Sequence, residues 1–278
     1  MPTLTRPPAL APLFARGALL SPAKRPRPDA GFPREPLVLT GARIDLARLT
    51  AYETVCGFAA GADALPVTYP HVLGFPLAMR LMSGRDFPLP LLGLVHTSIG
   101  ITRYAELTTT GTYEIAVRVA GLAPHRRGTE AAVTTEVRDS GGQLVWESRS
   151  TYLARHRTDH ARQPRPEPEA PLPTLGEWHL AGDAGRRYGA ASGDRNPIHL
   201  HPLTARPFGF PRAVAHGMWT VARCLAAHGT PTAVRVDAEF RAPVLLPGTV
   251  VYGADGAGRF ELRGPTGRPH VRGRVTPG

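Results

Sequence analysis

The sequence predicts an α+β protein whose two similar halves each wrap an antiparallel sheet around one helix. In both halves, helical apolar spacing comes first and several alternating, strand-like segments follow. A proline-dense stretch at 161–174, ARQPRPEPEAPLPT, divides the halves as an extended linker would. Short matches that recur at offsets of 136 to 138 residues indicate an internal duplication.

The domain organisation follows from length and composition. At 278 residues the chain exceeds the usual size of a single domain and can bury a large core. Residues 1–35 are rich in proline and basic side chains, so we expect a loose basic tail outside the core. We place a first folded half at 36–160, the linker at 161–174 and a second folded half at 175–278.

The first half starts with helical patterns and ends with strands. Leu37–Leu39 fits a short strand, and 45–58 has helical apolar spacing. The apolar stretch 66–82 fits a core helix with an irregular entry, broken at Gly74 and Pro76. Strand patterns follow at 94–104, 112–119, 129–137 and 144–156, and the turn at 139–142 predicts a hairpin between the last two.

The second half repeats this order. Helices are expected at 183–192 and 218–227, and strands at 233–240, 249–254, 259–263 and 270–275. The matches between the halves are Tyr52 and Gly57 with Tyr188 and Gly193, Arg103 with Arg241, and Gly111-Thr112 with Gly248-Thr249. Tyr188 is interpreted as a packing residue of its helix.

An acid and an imidazole lie close together at the start of the second half. Asp194 and His199 are five residues apart and enclose Asn196-Pro197, a turn-forming pair because proline fixes its own φ and restricts its predecessor. A tight turn there aims both side chains at one point. A carboxylate and a neutral imidazole on one water can orient it and move its protons, which is general acid–base catalysis.

A glycine at a helix start supplies the complementary group. Gly217 precedes an uninterrupted helix-forming run that stops at His228-Gly229. A glycine there lets a substrate carbonyl approach unpaired backbone N–H groups, and the helix dipole favours negative charge on that oxygen. We therefore expect Asp194, His199 and Gly217 to be the catalytic residues.

These motifs carry a family resemblance. The octet Ser192–His199, the pair Gly209-Phe210 and the tetrad Ala215–Met218, in this order, resemble the MaoC-like, (R)-specific enoyl-thioester hydratases. The resemblance implies a double hotdog fold, with the two sheets paired into one continuous sheet. It also implies that Asp194 and His199 hold the catalytic water and that Gly217 donates its N–H to the thioester oxygen.

The neighbouring motif residues are the candidate substrate contacts, namely Asn196, Phe210, His216 and Met218. For His216, a role in capping or packing at the helix start is an equal alternative to a role in the pocket. His201 fits a residue at the rim of the pocket better than a catalyst. The sequence departs from simpler family members at Leu225, where they often carry a serine. A polar substrate contact from that position is therefore in doubt.

The first half lacks the acid and the base. Its Gly57-Phe58 stands where the second half has Gly193-Asp194, and no Asp-x4-His follows. We expect this half to complete the sheet and shape the acyl pocket without catalysing. The layout is similar to that of the two-domain 3-hydroxyacyl-thioester dehydratases of actinobacterial type. His71 and His96 are interpreted as core or interface histidines, and Arg126-Arg127 as a hairpin tip, with phosphate or carrier-protein contact as the alternative.

Charge and composition restrict the partners. The net charge of +11 comes almost wholly from arginine, since Lys24 is the only lysine. The arginines are scattered and no nucleic-acid motif is present, so nucleic acid is not expected. A positive field of this kind suits coenzyme A or an acidic acyl carrier protein.

Other sites and compartments are not indicated. Cys56 and Cys224 lie far apart in apolar helical runs, which predicts buried free thiols and no disulfide or zinc site. Nucleotide-binding, metalloprotease and serine-hydrolase motifs are absent, so no cofactor and no metal are expected. No apolar run reaches transmembrane length, and prolines interrupt any signal sequence. We expect a cytoplasmic protein and leave a homodimer open.

The predicted activity is reversible hydration of trans-2-enoyl thioesters, of coenzyme A or acyl carrier protein, to (R)-3-hydroxyacyl thioesters in fatty-acid metabolism. This makes the protein a hydro-lyase. The alternatives are a hotdog acyl-CoA thioesterase and a non-catalytic subunit that binds acyl thioesters, because one fold hosts several functions.

Overall fold

One continuous sheet runs through both halves of the protein. The computed structural model describes residues 2–158 and 169–278, and within them this sheet has eleven strands, all antiparallel to their neighbours except β1. A separate two-stranded ladder joins β8 and β10. The strands are β1 (Thr3–Leu4), β2 (Leu37–Arg43), β3 (Val95–Arg103), β4 (Thr112–His125), β5 (Gly128–Arg138), β6 (Leu144–Arg155), β7 (Thr174–Leu180), β8 (Ala213–Val214), β9 (Val234–Phe240), β10 (Leu245–Leu246), β11 (Gly248–Ala254), β12 (Arg259–Arg263) and β13 (Pro269–Pro277).

Four of the helices were predicted, at 45–58, 66–82, 183–192 and 218–227, and the other three helices of the described residues were not. The helices are α1 (Leu10–Leu20), α2 (Leu46–Cys56), α3 (Tyr69–Met82), α4 (Ala184–Ser192), α5 (Pro197–Leu200), α6 (Pro202–Ala205) and α7 (Gly217–His228). Short 3₁₀ turns at Ser21–Ala23 and Arg206–Phe208 complete the described elements.

The sheet has an approximate two-fold arrangement about its centre. Its order is β1-β2-β4-β5-β6-β3-β9-β13-β12-β11-β7, and the halves meet where β3 pairs with β9, with Gly100 opposite Asp237. Outward from this pair, each half presents its last strand, then the two preceding strands, then the strand that precedes its first helix. The predicted architecture of two sheets paired into one is thereby confirmed.

The helices before the catalytic turn and before its counterpart match closely. Both α2 and α4 end at a glycine in the left-handed region, Gly57 with φ 79° and Gly193 with φ 84°. Only glycine adopts such a φ without steric cost, which explains why both copies have one. The rings of Tyr52 and Tyr188, the other matched pair, lie 5.9 Å apart. These equivalences support the internal duplication.

The core helix of the first half is continuous, which corrects one expectation. α3 runs through Gly74 and Pro76 without a break. Proline removes one helical hydrogen bond, but packing on the sheet holds the helix, and Gly74 lets Thr135 come close: its Cγ2 is 2.7 Å from where a Cβ would lie. Burial on this face therefore outweighs the local signal for a break.

The N-terminal segment belongs to the core, so the expected loose tail at 1–35 is wrong. β1 pairs with β2, and α1 buries Leu13, which is 5% exposed, while Phe14 lies 6.3 Å from Phe75. Leu10, Leu13, Phe14 and Gly17 share one helical face. Pro12 falls in the first turn, where the missing N–H has no helical partner to lose.

The boundary between the halves is partly described. The expected linker at 161–174 lies mostly outside the described residues. At its end, the Leu172 N–H donates to Glu261 Oε1 at 2.9 Å, and Thr174 already begins β7. β7 was not predicted, because this edge strand has few apolar residues.

Both cysteines are buried free thiols, as predicted. Cys56 ends α2, and Cys224 lies within α7. Burial raises the pKa of both thiols above the ordinary value, so both stay protonated at neutral pH.

Candidate active site

The predicted catalytic turn is a short connection between two helices. α4 ends at Gly193, and α5 begins at Pro197 with Asn196 as its N-cap. The Asn196 side-chain oxygen accepts from Ile198 N–H at 3.4 Å, and Asp194 Oδ1 accepts from Asn196 N–H at 3.2 Å. The turn therefore fixes the carboxylate of Asp194 through its own backbone.

The structure brings His199 to Asp194. Side-chain ligand atoms of Asp194, His199 and His216 all lie within 4.8 Å of one another. His199 Nδ1 is 2.6 Å from the carbonyl oxygen of Val214. A carbonyl only accepts, so Nδ1 carries the proton, and Nε2 of the neutral ring keeps its lone pair for a water or a substrate proton.

Burial sets the protonation of this pair. It raises the pKa of Asp194 above the ordinary value, against the opposing effects of His199 and the Asn196 N–H. It lowers the pKa of His199, against the opposing effects of Asp194 and the Val214 carbonyl. Both pKa shifts favour the neutral forms of the two side chains. Perturbed pKa values of this kind are common among catalytic acids and bases.

His216 occupies the centre of the site. It is 2% exposed, and its Nε2 donates to the Asp194 carbonyl oxygen at 2.8 Å. Its ring stacks on His199 with centroids 3.7 Å apart and lies 4.7 Å from the ring of Tyr188. Of the two alternatives for His216, the structure shows packing against both catalytic candidates, and a substrate contact stays a prediction.

The same three side chains have the composition of a metal site, but their geometry favours water. The rings of His199 and His216 are stacked, with planes 26° apart. Imidazole lone pairs lie in the ring plane, so two stacked rings direct them along separate planes instead of at one ion. One nitrogen of each ring is also engaged by a carbonyl.

Gly217 begins α7 directly after His216. The N–H groups of a first helical turn have no partner within the helix, and the dipole favours negative charge there. A Cβ at Gly217 would lie 2.9 Å from Cε1 of Phe240, so an aromatic ring packs on its Cα. The start of α7, next to His216, thus has backbone donors available, and the role of Gly217 as oxyanion donor stays a prediction.

The remaining predicted contacts differ in position. Met218 is buried at 8% exposure in the first turn of α7, and Leu225 is buried two turns further on. Phe210 is half-buried in the loop before β8, and no recorded ring contact or hydrogen bond joins it to Asp194 or His199 among the described residues. Its role in substrate binding stays a prediction.

The first half contributes residues that the sequence analysis missed. Arg48 of α2 donates to the carbonyl oxygens of Ala191 and Ser192, next to the catalytic turn. The Trp219 indole of α7 donates to the Val55 carbonyl oxygen. These contacts join residues more than 140 positions apart, so no local pattern signals them.

The histidines of the first half lie at the interface, as interpreted. His96 lies 4.7 Å from Phe240 of the second half and 4.6 Å from Tyr152, between ring centroids. His71 stacks against His96 at 6.0 Å. Since Phe240 also packs on Gly217, this aromatic cluster forms a wall that reaches the candidate site from the first half.

In the described parts of the chain, no helix has both the length and the apolar character needed to cross a membrane. This agrees with the absence of a long apolar run in the sequence.

Comparison with known proteins identifies the family. A profile described as MaoC like domain matches residues 158–261. The chain is 36% identical to 3-hydroxyacyl-thioester dehydratase X of Mycobacterium tuberculosis, over 98% of this chain and 99% of that protein. The crystal structure of HtdX from the same organism superposes with a TM-score of 0.77 at 35% identity, over 87% of this chain and 100% of that one.

A more distant structure supports the fold alone. Another Mycobacterium tuberculosis protein, described as having a double hotdog fold, superposes with a TM-score of 0.54 at 13% identity, over 90% of this chain and 98% of that one. The eleven-stranded sheet with its central β3–β9 pair has the corresponding layout. With the near full-length identity to dehydratase X, these findings show that the chain belongs to the family of MaoC-like 3-hydroxyacyl-thioester dehydratases with a double hotdog fold.

Proposed function

We propose that the protein catalyses the reversible hydration of trans-2-enoyl thioesters to (R)-3-hydroxyacyl thioesters. The observation that carries this proposal is the convergence of Asp194 and His199 beside the start of α7. The reaction needs a proton acceptor, a proton donor and a group that stabilises an oxyanion. Membership of the dehydratase family supports the same chemistry.

In the hydration direction the thioester oxygen accepts a hydrogen bond from the Gly217 N–H, while water binds between Asp194 and His199. The water oxygen bonds to C3 and gives one proton to the pair. The π electrons of the C2–C3 double bond move into an enolate, whose oxygen the N–H and the helix dipole stabilise. The pair then returns a proton to C2, so the net change is addition of one water without oxidation or reduction.

The acyl group is proposed to bind between the two halves. Phe240 packs on Gly217, and His96 packs on Phe240, so a chain extending from the thioester meets a wall drawn from both halves. Tyr152 of the first half stacks on His96 at 4.6 Å and extends this wall. The first half therefore shapes the pocket, in agreement with its lack of an acid and base.

The carrier is proposed to be anionic. The net charge of +11 favours the phosphates of coenzyme A or the acidic surface of an acyl carrier protein. The (R) configuration of the product rests on the family resemblance. A location in the cytoplasm is part of the same proposal, and a homodimer is left open.

The test is an assay of 2-enoyl-CoA substrates of short, medium and long chain with chiral analysis of the product. Loss of enoyl absorbance without release of free thiol, giving the (R)-3-hydroxy product, is the expected result. Thiol release instead would indicate a thioesterase. Enoyl-CoA binding without turnover would indicate a binding subunit, and either result would overturn the proposal.

A further inference from the structure

One helix of the non-catalytic half contacts two helices that flank the candidate site. From α2, Arg48 reaches the C-terminal end of α4, and the Val55 carbonyl accepts from the indole of Trp219 on α7 at 2.8 Å. The Tyr52 ring packs on Tyr188, which in turn packs on His216. The half that lacks an acid and base is therefore in contact with the helix before the catalytic turn and with the helix that begins at Gly217.

The strongest of these contacts is made by Arg48. Its Nε donates to the Ala191 carbonyl at 2.8 Å and its Nη2 to the Ser192 carbonyl at 2.6 Å. The last carbonyls of a helix have no partner within the helix, and a cation there also interacts favourably with the helix dipole. The Arg48 guanidinium group thus caps the C-terminal end of α4. It donates two short hydrogen bonds, which its charge strengthens.

The capped carbonyls directly precede the acid. Asp194 N–H donates to Ser192 Oγ at 3.2 Å, and this hydroxyl donates to the Tyr188 carbonyl at 2.9 Å. Arg48 Nη2 also lies 2.9 Å from where a Cβ of Gly193 would be, so it packs against the residue at which the chain reverses. Only Gly193 separates Ser192, whose carbonyl Arg48 binds, from Asp194.

We propose that Arg48 is a positioning residue of the catalytic half, which holds the backbone of the Gly193–Asn196 turn so that the Asp194 carboxylate faces His199. The inference rests on the proposed function. It also explains what the non-catalytic half retains: an arginine that acts on its neighbour's turn and not on its own.

Comparison of the two halves indicates that this contact is made only by the first half on the second. At the offset of the matched tyrosines, the residue corresponding to Arg48 in the second half is Ala184, which cannot donate in this way. Gly57, the counterpart of Gly193, is instead approached by Arg223 of α7. Arg223 lies over the Trp178 ring at 4.3 Å and has no recorded hydrogen bond to α2 carbonyls in the described chain.

Arg223 is therefore a matched control for Arg48. Both arginines pack across the halves against a left-handed glycine at the end of a helix, but only Arg48 touches the helix that leads into the catalytic turn. An equal loss of kcat in the alanine variants of both arginines would indicate loosened packing between the halves. A loss of kcat confined to the Arg48 variant would indicate a disturbed catalytic turn.

The experiment compares full-length wild type, Arg48→Ala, Arg48→Lys and Arg223→Ala in enoyl-CoA hydration, with melting temperature measured in parallel. For Arg48→Ala we expect kcat to fall about tenfold or more with KM changed less than about twofold, because small misplacements of reacting groups are costly. Millimolar guanidinium should restore part of kcat in Arg48→Ala and none in Arg223→Ala. Arg48→Lys, which can cap one carbonyl, should lie between.

The pH profile gives a readout that packing alone would not move. His199, His216, Tyr152 and Tyr188 lie near Asp194 in the described chain, and none of them changes in the variants. The charge of Arg48 itself is lost in Arg48→Ala and kept in Arg48→Lys, so a pH shift that appears in both variants reports the turn geometry. In the wild type, the hydrogen bond from the Asn196 N–H lowers the pKa of Asp194. Loss of the turn geometry breaks this bond and raises the pKa, so the acidic limb of the kcat profile should move to higher pH in Arg48→Ala.

Two results would overturn the inference. One is wild-type kcat and pH profile in Arg48→Ala or, if this variant does not fold, in Arg48→Lys. The other is an equal loss in Arg223→Ala without guanidinium rescue of Arg48→Ala. Inactivity of the wild-type enzyme itself would instead refute the proposed function, so the two failures are distinguishable.

Discussion

The imidazole rings of His199 and His216 stack with their centroids 3.7 Å apart and their planes at 26°. His199 is fixed through Nδ1 to the Val214 carbonyl, and His216 through Nε2 to the Asp194 carbonyl. Burial lowers the pKa of His216 well below the ordinary value, and a charge on His199 lowers it further. Both rings of the stack are therefore neutral, and His216 holds the ring of His199 in its orientation.

Replacing His216 by phenylalanine should test this orientation. His216→Phe retains a ring that can stack on His199 but removes the donor to the Asp194 carbonyl. We expect kcat to fall about tenfold, because the acid loses a backbone anchor. Steady-state kinetics on an enoyl-CoA checks this. His179→Phe, at a side chain that is 80% exposed, is the control and should retain full turnover.

Removing the acid should abolish turnover without costing stability. Burial raises the pKa of Asp194, so the folded state holds the proton more tightly than the unfolded state does. The ionised carboxylate therefore lowers the free energy of unfolding as pH rises above the unfolded-state pKa. Asp194→Asn should cut kcat about a hundredfold or more and leave the melting temperature at pH 7 equal or higher.

Kinetics and thermal melts at pH 7 measure both effects. Asp183→Asn changes a carboxylate that is 45% exposed and paired with Arg187, and it should leave kcat unchanged. Turnover near wild type in Asp194→Asn would remove this residue from the mechanism, and a clearly lower melting temperature would contradict the sign of its burial effect.

A methyl group at the start of α7 should separate packing from catalysis. In Gly217→Ala the new Cβ meets the ring of Phe240 at 2.9 Å, and overpacking of this kind costs about 1–3 kcal/mol. The methyl also adds bulk next to the N–H to which the thioester oxygen is proposed to bind. We expect a lower melting temperature and a kcat/KM reduced about tenfold or more.

The double variant Gly217→Ala/Phe240→Leu distinguishes the two causes when it is compared with Phe240→Leu alone, because Phe240 belongs to the proposed pocket wall. Leucine relieves the contact with the new methyl, so the melting temperature should recover while kcat/KM stays low. Recovery of both would show that Gly217 is required only for packing.

The interface histidines should make the fold sensitive to acid. Burial lowers the pKa of His71 to about 4 and that of His96 to about 3, whereas in the unfolded chain both titrate near 6.5. Their contribution to the free energy of unfolding is complete above pH 6.5 and is lost as the pH falls toward 4 and 3. Unfolding near pH 5 should take up about two protons at these sites.

Urea unfolding at pH 7.5, 6 and 5 measures this slope. The variant His71→Phe/His96→Phe keeps the aromatic packing but cannot take up these protons, so its free energy of unfolding should depend less on pH. An unchanged slope in this variant would contradict the assignment of acid sensitivity to the pair.

The sequence predicts those features whose determinants are close in the chain. Asn196-Pro197 and Gly193 encode the catalytic turn within a few residues, and alternation of apolar residues encodes most strands. The structure brings Asp194, His199 and His216 together, and Gly217 follows His216 at the start of α7.

The features that were missed depend on distant partners or on misleading composition. Arg48 gains its contact only when α2 meets α4, 143 residues away in sequence. In α1, the surrounding prolines and arginines obscured an apolar helical face that becomes stable once it covers α3. β7 is held by its pairing with β11 and by the stacking of Trp178 on Tyr252 of that strand, and this partner is distant in sequence.

The two halves belong to one polypeptide chain and pair through β3 and β9, and only the second half carries the candidate acid and base. In an assembly of identical subunits, every substitution is copied into each pocket wall at once. Here a change in β3 or β6 falls on the proposed wall of the acyl pocket, whereas Asp194, His199 and Gly217 lie in the other half. Selectivity for chain length can therefore change by mutation of one half while the chemical step is preserved in the other.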